Sequence, residues 1–324
     1  MANDTSTRCK PKIAISACLL GAEVRFNGGH KESRLCSQAL SEHFDFVPLC
    51  PEVAIGLGIP RQPIRLVGDP TMPQAVGSVD STLDVTHALH DYGVSMAATH
   101  TDICGYIFMQ KSPSCGLERV KVYQDGGRPA ELSGRGIYAQ AFCAAHPELP
   151  VEEDGRLTDP ILRENFLTRV YAYSAWQDLL KAGLTRRSLT EFHARYKYLL
   201  MAHHPVQYKT LGNLLGSMGK APPQAIAAQY FSELMKALKK CATRRTHTNV
   251  LQHISGYLKQ SISREDKQEM QQLIVQYLNG IVPLVVPLTL LKHHFRLHPD
   301  PYIARQVSLQ PHPENLSLRH AICP

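Results

Sequence analysis

The spacing of apolar residues changes once along the chain, near residue 157, and this change constrains the fold more than any other feature. Before it, short runs rich in β-branched and aromatic residues, at 12–17, 44–49 and 105–109, alternate with stretches of helical spacing. Strands separated by helices favour a mainly parallel sheet with helices on both faces. After it, apolar residues recur near the 3.6-residue period and predict helices over 161–182, 189–203, 223–243, 246–260 and 264–278. The sequence therefore predicts an α/β N-terminal domain followed by an all-α C-terminal domain.

Two domains are also expected from length, because 324 residues exceed what one hydrophobic core usually serves. An acidic stretch rich in Pro and Gly, residues 147–160, lies where the spacing changes, and we interpret it as a linker. The predicted division is a flexible tail over 1–10, a first domain over 11–157 that ends in this linker, and a second domain over 158–324. Neither a membrane-spanning apolar run nor an apolar secretory leader is found in the sequence, so we expect a cytoplasmic protein with no membrane partner.

The two halves of the chain differ in charge. Residues 1–157 carry 14 Lys and Arg against 18 Asp and Glu, while residues 158–324 carry 21 against 10, which gives net charges of −4 and +11. Lys and Arg that displace counterions from phosphates are the main sequence-independent source of affinity for nucleic acid. Tyrosines such as Tyr198 and Tyr257 interleave with these basic residues, a pattern that fits RNA. The alternative is that the excess charge only keeps the domain soluble.

Nine cysteines at irregular spacings, an odd number, indicate reduced thiols rather than a disulfide framework. Three of them, Cys18, Cys50 and Cys115, each follow a predicted strand. The carboxyl ends of parallel strands lie at one edge of a sheet, where such folds bind ligands, so these thiols could converge. None has the CxxC spacing of a zinc knuckle or a ferredoxin, so spacing alone identifies no metal. Three unrelated core cysteines are the alternative.

Four segments contain or flank these cysteines: SACLLG at 16–21, VRFNGGHK at 24–31, CPE at 50–52 and SPSCG at 112–116. Taken together they resemble the bacterial thiouracil desulfidase (TudS) family over residues 11–146. The resemblance implies a 4Fe-4S cluster that is bound by Cys18, Cys50 and Cys115 and has one iron without a protein ligand. A thiophilic iron of this kind suits the role of Lewis acid toward a thiocarbonyl sulfur.

Glu52 and Ser114 are the predicted catalytic residues. Glu52 is the only carboxylate that a rigid Cys-Pro-Glu turn fixes so close to Cys50, and it would act as general base or proton shuttle. Ser114, next to Cys115, could donate a hydrogen bond to that base or relay its proton, and the family resemblance supports the same two roles. In the alternative interpretation Glu52 pairs with Arg25 and Ser114 only caps its own turn.

Residues near a glycine pair are predicted to bind the substrate. Their positive charge lies beside backbone that could approach a nucleotide phosphate closely. The complete predicted substrate-binding set is Arg25, Asn27, Gly28, His30, Lys31 and Lys111. The family commonly has aspartate at the position of Asn27, so this chain lacks the carboxylate there.

Residues from about 188 onward resemble a domain, often called YbgA-like, that is found fused to the desulfidase module. The fused architecture resembles that of the tRNA 4-thiouridine desulfidases. It implies conversion of 4-thiouridine in tRNA to uridine with release of sulfide, with the tRNA bound by residues 158–324. Two alternatives stay open: desulfuration of free thiouracil or 4-thiouridine monophosphate, and a non-enzymatic RNA-binding module with a structural iron-sulfur or zinc site. A structural site would be closed by four protein ligands.

Overall fold

Four parallel strands form the central sheet of the first part of the chain. The structure is a computed structural model, and it describes residues 10–124, 127–219, 221–313, 316 and 318–320. It divides into two units between Thr158 and Asp159, one residue after the predicted boundary. The tail predicted over residues 1–10 lies, except for Lys10, outside the described residues.

The predicted apolar runs form three of the four strands. The sheet consists of β1 (Lys12–Ser16), β2 (Asp45–Leu49), β5 (Gly105–Phe108) and β7 (Val151–Glu153). β1 pairs in parallel with β2 on one side and with β5 on the other, and its Ile13 and Ile15 are fully buried. The unit also contains helices α1 (Pro51–Ala54), α2 (Thr86–Thr99) and α3 (Ile137–Ala145) and a π-helical segment at Leu35–Leu40. The predicted α/β class of this unit is confirmed.

The stretch interpreted as a linker contains β7, which corrects that interpretation. β7 pairs in parallel with β5, and its Glu152 and Glu153 are buried. Glu153 accepts hydrogen bonds from the backbone N–H groups of Leu117 and Glu118, at 2.8 and 3.1 Å, and Glu152 accepts one from Arg156 at 2.7 Å. Buried carboxylates with such partners are tolerated in a strand, although their composition is typical of an exposed loop.

A second, three-stranded sheet was not predicted. It joins β3 (Ile64–Val67) to β4 (Gln74–Gly77) in antiparallel pairing and to β6 (Val122–Tyr123) in parallel pairing. Strands of only two to four residues carry little sequence signal, because they are too short to show a period of two.

The second unit consists of helices, as predicted. They are α4 (Pro160–Lys181), α5 (Arg186–His203), α6 (Pro205–Gly216), α7 (Gln224–Lys239), α8 (Arg244–Ser255), α9 (Arg264–Leu278) and α10 (Val285–Leu297). Two hydrophobic clusters hold the unit together, and α5 contributes to both: Leu199 and Leu200 pack in one, Tyr198 and Met201 in the other. None of the helices in the described residues is long and apolar enough to cross a bilayer.

Partly buried histidines should make the helical unit sensitive to acid. Burial lowers the pKa of His193 to about 4 and that of His247 to about 3. An unfolded histidine titrates near 6.5, so below that pH the unfolded chain binds protons that the folded chain does not, and stability falls with pH by up to about 1.4 kcal/mol per pH unit for each group. Replacing His247 with glutamine should therefore flatten the pH dependence of the free energy of unfolding between pH 4 and 6.5.

Urea unfolding followed by tryptophan fluorescence checks this prediction, because the single tryptophan, Trp176, is buried in the helical unit and stacks on Phe231. His90→Gln on α2 is the matched control, since His90 is exposed and lies in the other unit. An unchanged slope in the His247 variant would contradict the neutral state of this histidine.

Candidate active site

Cys18, Cys50 and Cys115 follow neighbouring strands of the main sheet. Cys18 lies in the short turn Ala17–Leu20 directly after β1, and Cys50 lies between β2 and α1. Cys115 lies in the loop that follows β5. Because β1 pairs with both β2 and β5, the three loops leave the same edge of the sheet. All three cysteines are free thiols, and Cys18 and Cys115 are buried.

Burial is the main reason that the pKa of each thiol is raised, to about 11 for Cys18 and in the same direction for Cys50 and Cys115. Cys50 adds to the rise at both other thiols, so Cys50 lies within electrostatic reach of each of them. Thiolates in such a place need nearby positive charge, and a bound metal supplies it.

The three thiols are candidate metal ligands. In the described part of the chain, no three His, Cys, Asp or Glu side chains are placed to bind one ion together. An iron-sulfur cluster takes one thiolate on each of several irons, and cysteine is the ligand type that such clusters use.

The loop that carries Cys115 is held by its own residues and by glycines. Ser112 Oγ accepts hydrogen bonds from the backbone N–H groups of Cys115 at 3.1 Å and Ser114 at 3.3 Å. A Cβ atom on Gly136 would lie 2.5 Å from the Ser114 carbonyl group, so only glycine fits there. Lys111 opens the loop with a left-handed backbone, φ 58°. Its predicted contact with substrate stays a prediction.

Glu52 and Ser114, which are 62 positions apart in the chain, come together beside the cysteines. Ser114 Oγ donates a hydrogen bond to Glu52 Oε1 at 2.6 Å and lies 3.7 Å from Cys115 Sγ. Ser114 is buried, and the Glu52 side chain is 15% exposed. A carboxylate that accepts a hydrogen bond from a buried hydroxyl can work as a base with that hydroxyl as a proton relay. The contact is the one expected if the two residues act together.

Arg61 is the partner of Glu52 that sequence reasoning missed. Its Nε and Nη2 donate to Glu52 Oε2 at 3.0 and 2.9 Å, and its side chain is 5% exposed. Nη2 also donates to the carbonyl of Val24 at 2.9 Å, and Nη1 donates to that of Gly58 at 2.9 Å. Arg61, and not Arg25, thus pairs with Glu52. Arg61 lies outside the four sequence motifs, so nothing in the sequence indicated that it would pair with Glu52.

The loop predicted to bind substrate is attached to the first cysteine. The backbone N–H of Lys31 donates to the carbonyl of Cys18 at 2.9 Å. Gly28 has φ 75°, a left-handed conformation that favours glycine. The guanidinium of Arg25 lies 5.6 Å from the centre of the Phe26 ring, and it lowers the pKa of Cys18 in part, so its charge reaches the thiols.

Two of the predicted substrate ligands are used within that loop. Asn27 Oδ1 accepts a hydrogen bond from the Gly29 N–H at 3.2 Å, and His30 Nδ1 accepts one from the Glu32 N–H at 3.2 Å. These contacts shape turns and occupy one acceptor on each side chain. The binding roles of Arg25, Asn27, Gly28, His30 and Lys31 stay predictions.

Asp154 is a second carboxylate near the site, and the sequence did not indicate it. It follows β7, and its Oδ1 accepts a hydrogen bond from the Gln110 N–H at 2.9 Å. Burial raises its pKa, and it interacts electrostatically with Lys31 and Cys18. The signal was hidden because the strand that positions Asp154 was interpreted as a linker.

Comparisons with known proteins match both parts of the chain. The family model of 2-thiouracil desulfurase matches residues 13–154, and that of a protein family of unknown function, DUF1722, matches residues 197–313. The chain is 32% identical over 159 residues to the uncharacterized protein YbgA of Escherichia coli (strain K12), covering 49% of this chain and 94% of that protein. It is 31% identical over 133 residues to the uncharacterized protein YbbK of Bacillus subtilis (strain 168), covering 39% and 86%. A solved structure of a [4Fe-4S]-dependent thiouracil desulfidase, TudS, is 28% identical, with a TM-score of 0.34 and coverage of 46% and 94%.

The fold and the site define an α/β domain whose three thiols and hydrogen-bonded Glu52–Ser114 pair lie at the carboxyl ends of parallel strands. The chain belongs to the 2-thiouracil desulfurase family through residues 13–154 and to the DUF1722, YbgA-like family through residues 197–313. The predicted fusion of these two domains is confirmed. The first domain is accordingly that of an enzyme acting on C–S bonds.

Proposed function

We propose that this protein converts 4-thiouridine in tRNA to uridine and sulfide, using a 4Fe-4S cluster bound by Cys18, Cys50 and Cys115. The observation that carries the proposal is that these three free thiols follow adjacent parallel strands beside the Glu52–Ser114 hydrogen bond of 2.6 Å. Thiols and an acid-base pair in one place are the groups that breaking a C–S bond with water requires.

The donor set supports an iron-sulfur cluster. Three thiolates are soft ligands that suit iron, and their electrostatic proximity without disulfide bonds leaves them available to a metal. When bound, such a cluster supplies a thiophilic iron that acts as a Lewis acid toward a thiocarbonyl sulfur. Cys104 is buried and lies at the amino end of β5, the opposite end of the strand from the Cys115 loop, so it does not belong to this set.

The residues of the chain account for proton handling. Water adds to the thiocarbonyl carbon, the C–S bond breaks, and the sum is one carbonyl and one hydrogen sulfide from one thiocarbonyl and one water. Glu52 Oε1 accepts a proton from the attacking water, and Ser114, hydrogen-bonded to the same oxygen, relays it to the leaving sulfur or the ring nitrogen. Arg61 holds Oε2 with two N–H groups, which keeps Oε1 directed at Ser114.

The preference for tRNA over a free base is inferred from the second domain. Residues 158–324 carry a net charge of +11, which favours binding to a polyanion. A small thiolated base would not need this charge. The substrate choice is therefore proposed as 4-thiouridine within tRNA, with free thiouracil or 4-thiouridine monophosphate as the second candidate.

Turnover of matched substrates tests the proposal. The full-length protein, purified and reconstituted without oxygen, is assayed with thiolated tRNA, 4-thiouridine monophosphate and 2-thiouracil for sulfide release and for conversion to the oxo nucleoside. We expect kcat/KM for tRNA to exceed that for the mononucleotide by roughly tenfold or more, equivalent to about 1.4 kcal/mol of added binding. Equal values would favour the free nucleotide. A protein with a complete cluster that leaves every thiolated substrate unchanged would overturn the enzyme assignment.

A further inference from the structure

Two tyrosine rings lie close to Lys197 in the helical unit, and a third tyrosine stacks on one of them. Lys197 and Tyr198 lie on α5, Tyr257 lies in the turn Gly256–Leu258 after α8, and Tyr302 follows α10. We call Lys197, Tyr198, Tyr257 and Tyr302 the lysine–tyrosine cluster. Lys197 Nζ lies 5.1 Å from the centre of the Tyr198 ring and 5.8 Å from that of Tyr302, within the range of cation–π attraction.

The cluster presents an aromatic ring to solvent in a fixed orientation. The Tyr257 ring lies at 25° to that of Tyr302 with their centres 5.9 Å apart, and the Tyr198 hydroxyl donates to the Tyr257 hydroxyl at 3.3 Å. Tyr198 is buried, whereas Tyr257 is 42% exposed. A large exposed ring restrained on two sides loses little conformational entropy when another flat group stacks on it. Core packing explains Tyr198 but not the exposure of Tyr257.

Two exposed basic residues lie close to the cluster tyrosines along the chain. Lys259 lies two residues after Tyr257 and Arg305 three residues after Tyr302, and both are exposed. The nearest acidic group along the chain, Asp300, uses its Oδ1 to accept hydrogen bonds from the backbone N–H groups of Tyr302 and Ile303, at 2.8 and 2.9 Å. Aromatic rings for bases beside cations for phosphates are the combination by which proteins bind unpaired nucleic acid.

We propose that the lysine–tyrosine cluster binds single-stranded RNA, with an unpaired base stacked on Tyr257 and neighbouring phosphates paired with Lys197, Lys259 and Arg305. The inference rests on the proposed function in taking RNA as the macromolecule that the second domain binds. It adds the class of structure recognised, an unpaired loop or end rather than duplex, and the residues that recognise it.

Binding of a fluorescent oligouridylate to the full-length protein, followed by anisotropy, tests the inference. Tyr257→Ala removes the ring, and we expect Kd to rise about 5- to 150-fold, the loss of one stacked base. Tyr257→Phe keeps the ring and is expected to bind within about twofold of the original protein, because stacking needs no hydroxyl. Ile281→Ala is the matched control, since Ile281 is an exposed apolar residue of the same unit outside the cluster, 63% exposed. Trp176 fluorescence verifies that each variant is folded.

Three further measurements separate stacking from charge alone. Lys197→Gln should lower the slope of log Kd against log salt by roughly 1, the loss of one phosphate contact. A duplex of the same length should bind more weakly than the single strand. The third measurement is competition by polyglutamate at an equal charge concentration. Displacement of the oligouridylate by polyglutamate, or equal effects of Tyr257→Ala and Ile281→Ala on Kd, would overturn the inference and indicate a non-specific basic or a protein-binding surface.

The inference and the proposed function fail in different ways. Turnover of 4-thiouridine monophosphate by the original protein measures the chemical step separately from RNA binding. If the original protein binds oligouridylate through Tyr257 but desulfurates nothing, the proposed function fails while the binding site stands. If the original protein desulfurates tRNA but Tyr257→Ala has no effect on RNA affinity, the proposed function stands and the binding site fails.

Discussion

Replacing Cys18, Cys50 or Cys115 with alanine is expected to abolish cluster binding and desulfidase activity together. Each variant removes one of three thiolates, and a cluster with two protein ligands left on buried loops is no longer held. Bound iron and acid-labile sulfide, measured after anaerobic purification, should fall to near background in all three variants. The accompanying visible absorbance should disappear as well.

Cys104→Ala is the matched control for this loss. Cys104 is also a buried thiol of the same unit, but it lies at the amino end of β5. It should retain iron and activity, since removing one small buried group costs at most about 1 to 2 kcal/mol of stability. Full iron in any of the three ligand variants would contradict the assignment. Cys36 is a further buried thiol of this unit, in the segment Leu35–Leu40. Loss of iron in Cys36→Ala as well would indicate four ligands and favour the structural, non-enzymatic site.

Glu52→Gln is expected to lower kcat by about 10² to 10⁴ while bound iron stays unchanged, because glutamine keeps the shape of the side chain but cannot accept the proton of the attacking water. Single-turnover assays with 4-thiouridine monophosphate isolate the chemical step from RNA binding. The iron content of the same sample shows whether the cluster loop is intact. A variant that retains its rate within about tenfold would exclude Glu52 as the base.

Arg61→Lys is the graded companion of Glu52→Gln. Lysine keeps the charge but loses the paired N–H groups that hold Glu52 Oε2 at 3.0 and 2.9 Å. We expect a smaller fall in kcat with little change in KM, since the base is present but less well oriented. A change confined to KM would instead indicate that Arg61 contacts the substrate.

β1 and β5 could be predicted from sequence because they are buried on both faces, and β2 because it is a short, mostly apolar run. β1, β2 and β5 are short apolar runs, and the cysteines that follow them indicated the edge of the sheet at which the candidate site lies. β7 could not be recognised in this way. Its glutamates are satisfied by backbone N–H groups and by Arg156, partners that no local pattern reveals.

In the helical half, the predicted helix over 264–278 has the bounds of α9, where Ser263 caps the first turn and exchanges hydrogen bonds with Asp266. The prediction omitted α6 and α10, which have prolines in their first turns, Pro205 and Pro287. Proline is compatible with those positions because the first backbone N–H groups of a helix have no intrahelical acceptor. A proline was therefore weak evidence against a helix at either place.

The candidate site was predictable only where its residues neighbour a cysteine in the chain. Glu52 and Ser114 are two residues from Cys50 and one from Cys115, so their meeting follows once the strand ends converge. Arg61 and Asp154 reach the same place through a loop and through an unrecognised strand. Such residues are found by three-dimensional structure, since nothing in their local sequence distinguishes them from surface charges.

The position of β7 sets a limit on how the desulfidase part can be shortened. β7 pairs with the backbone hydrogen-bonding groups along one side of β5, whose four residues are all buried in the intact unit. A truncated protein ending at residue 146 would expose that side as an open strand edge of apolar residues. Such an edge is a template for pairing between copies of a chain, so the shortened protein would self-associate and precipitate. Residues 147–158, despite their loop-like composition, therefore help to keep separate copies of this enzyme domain apart.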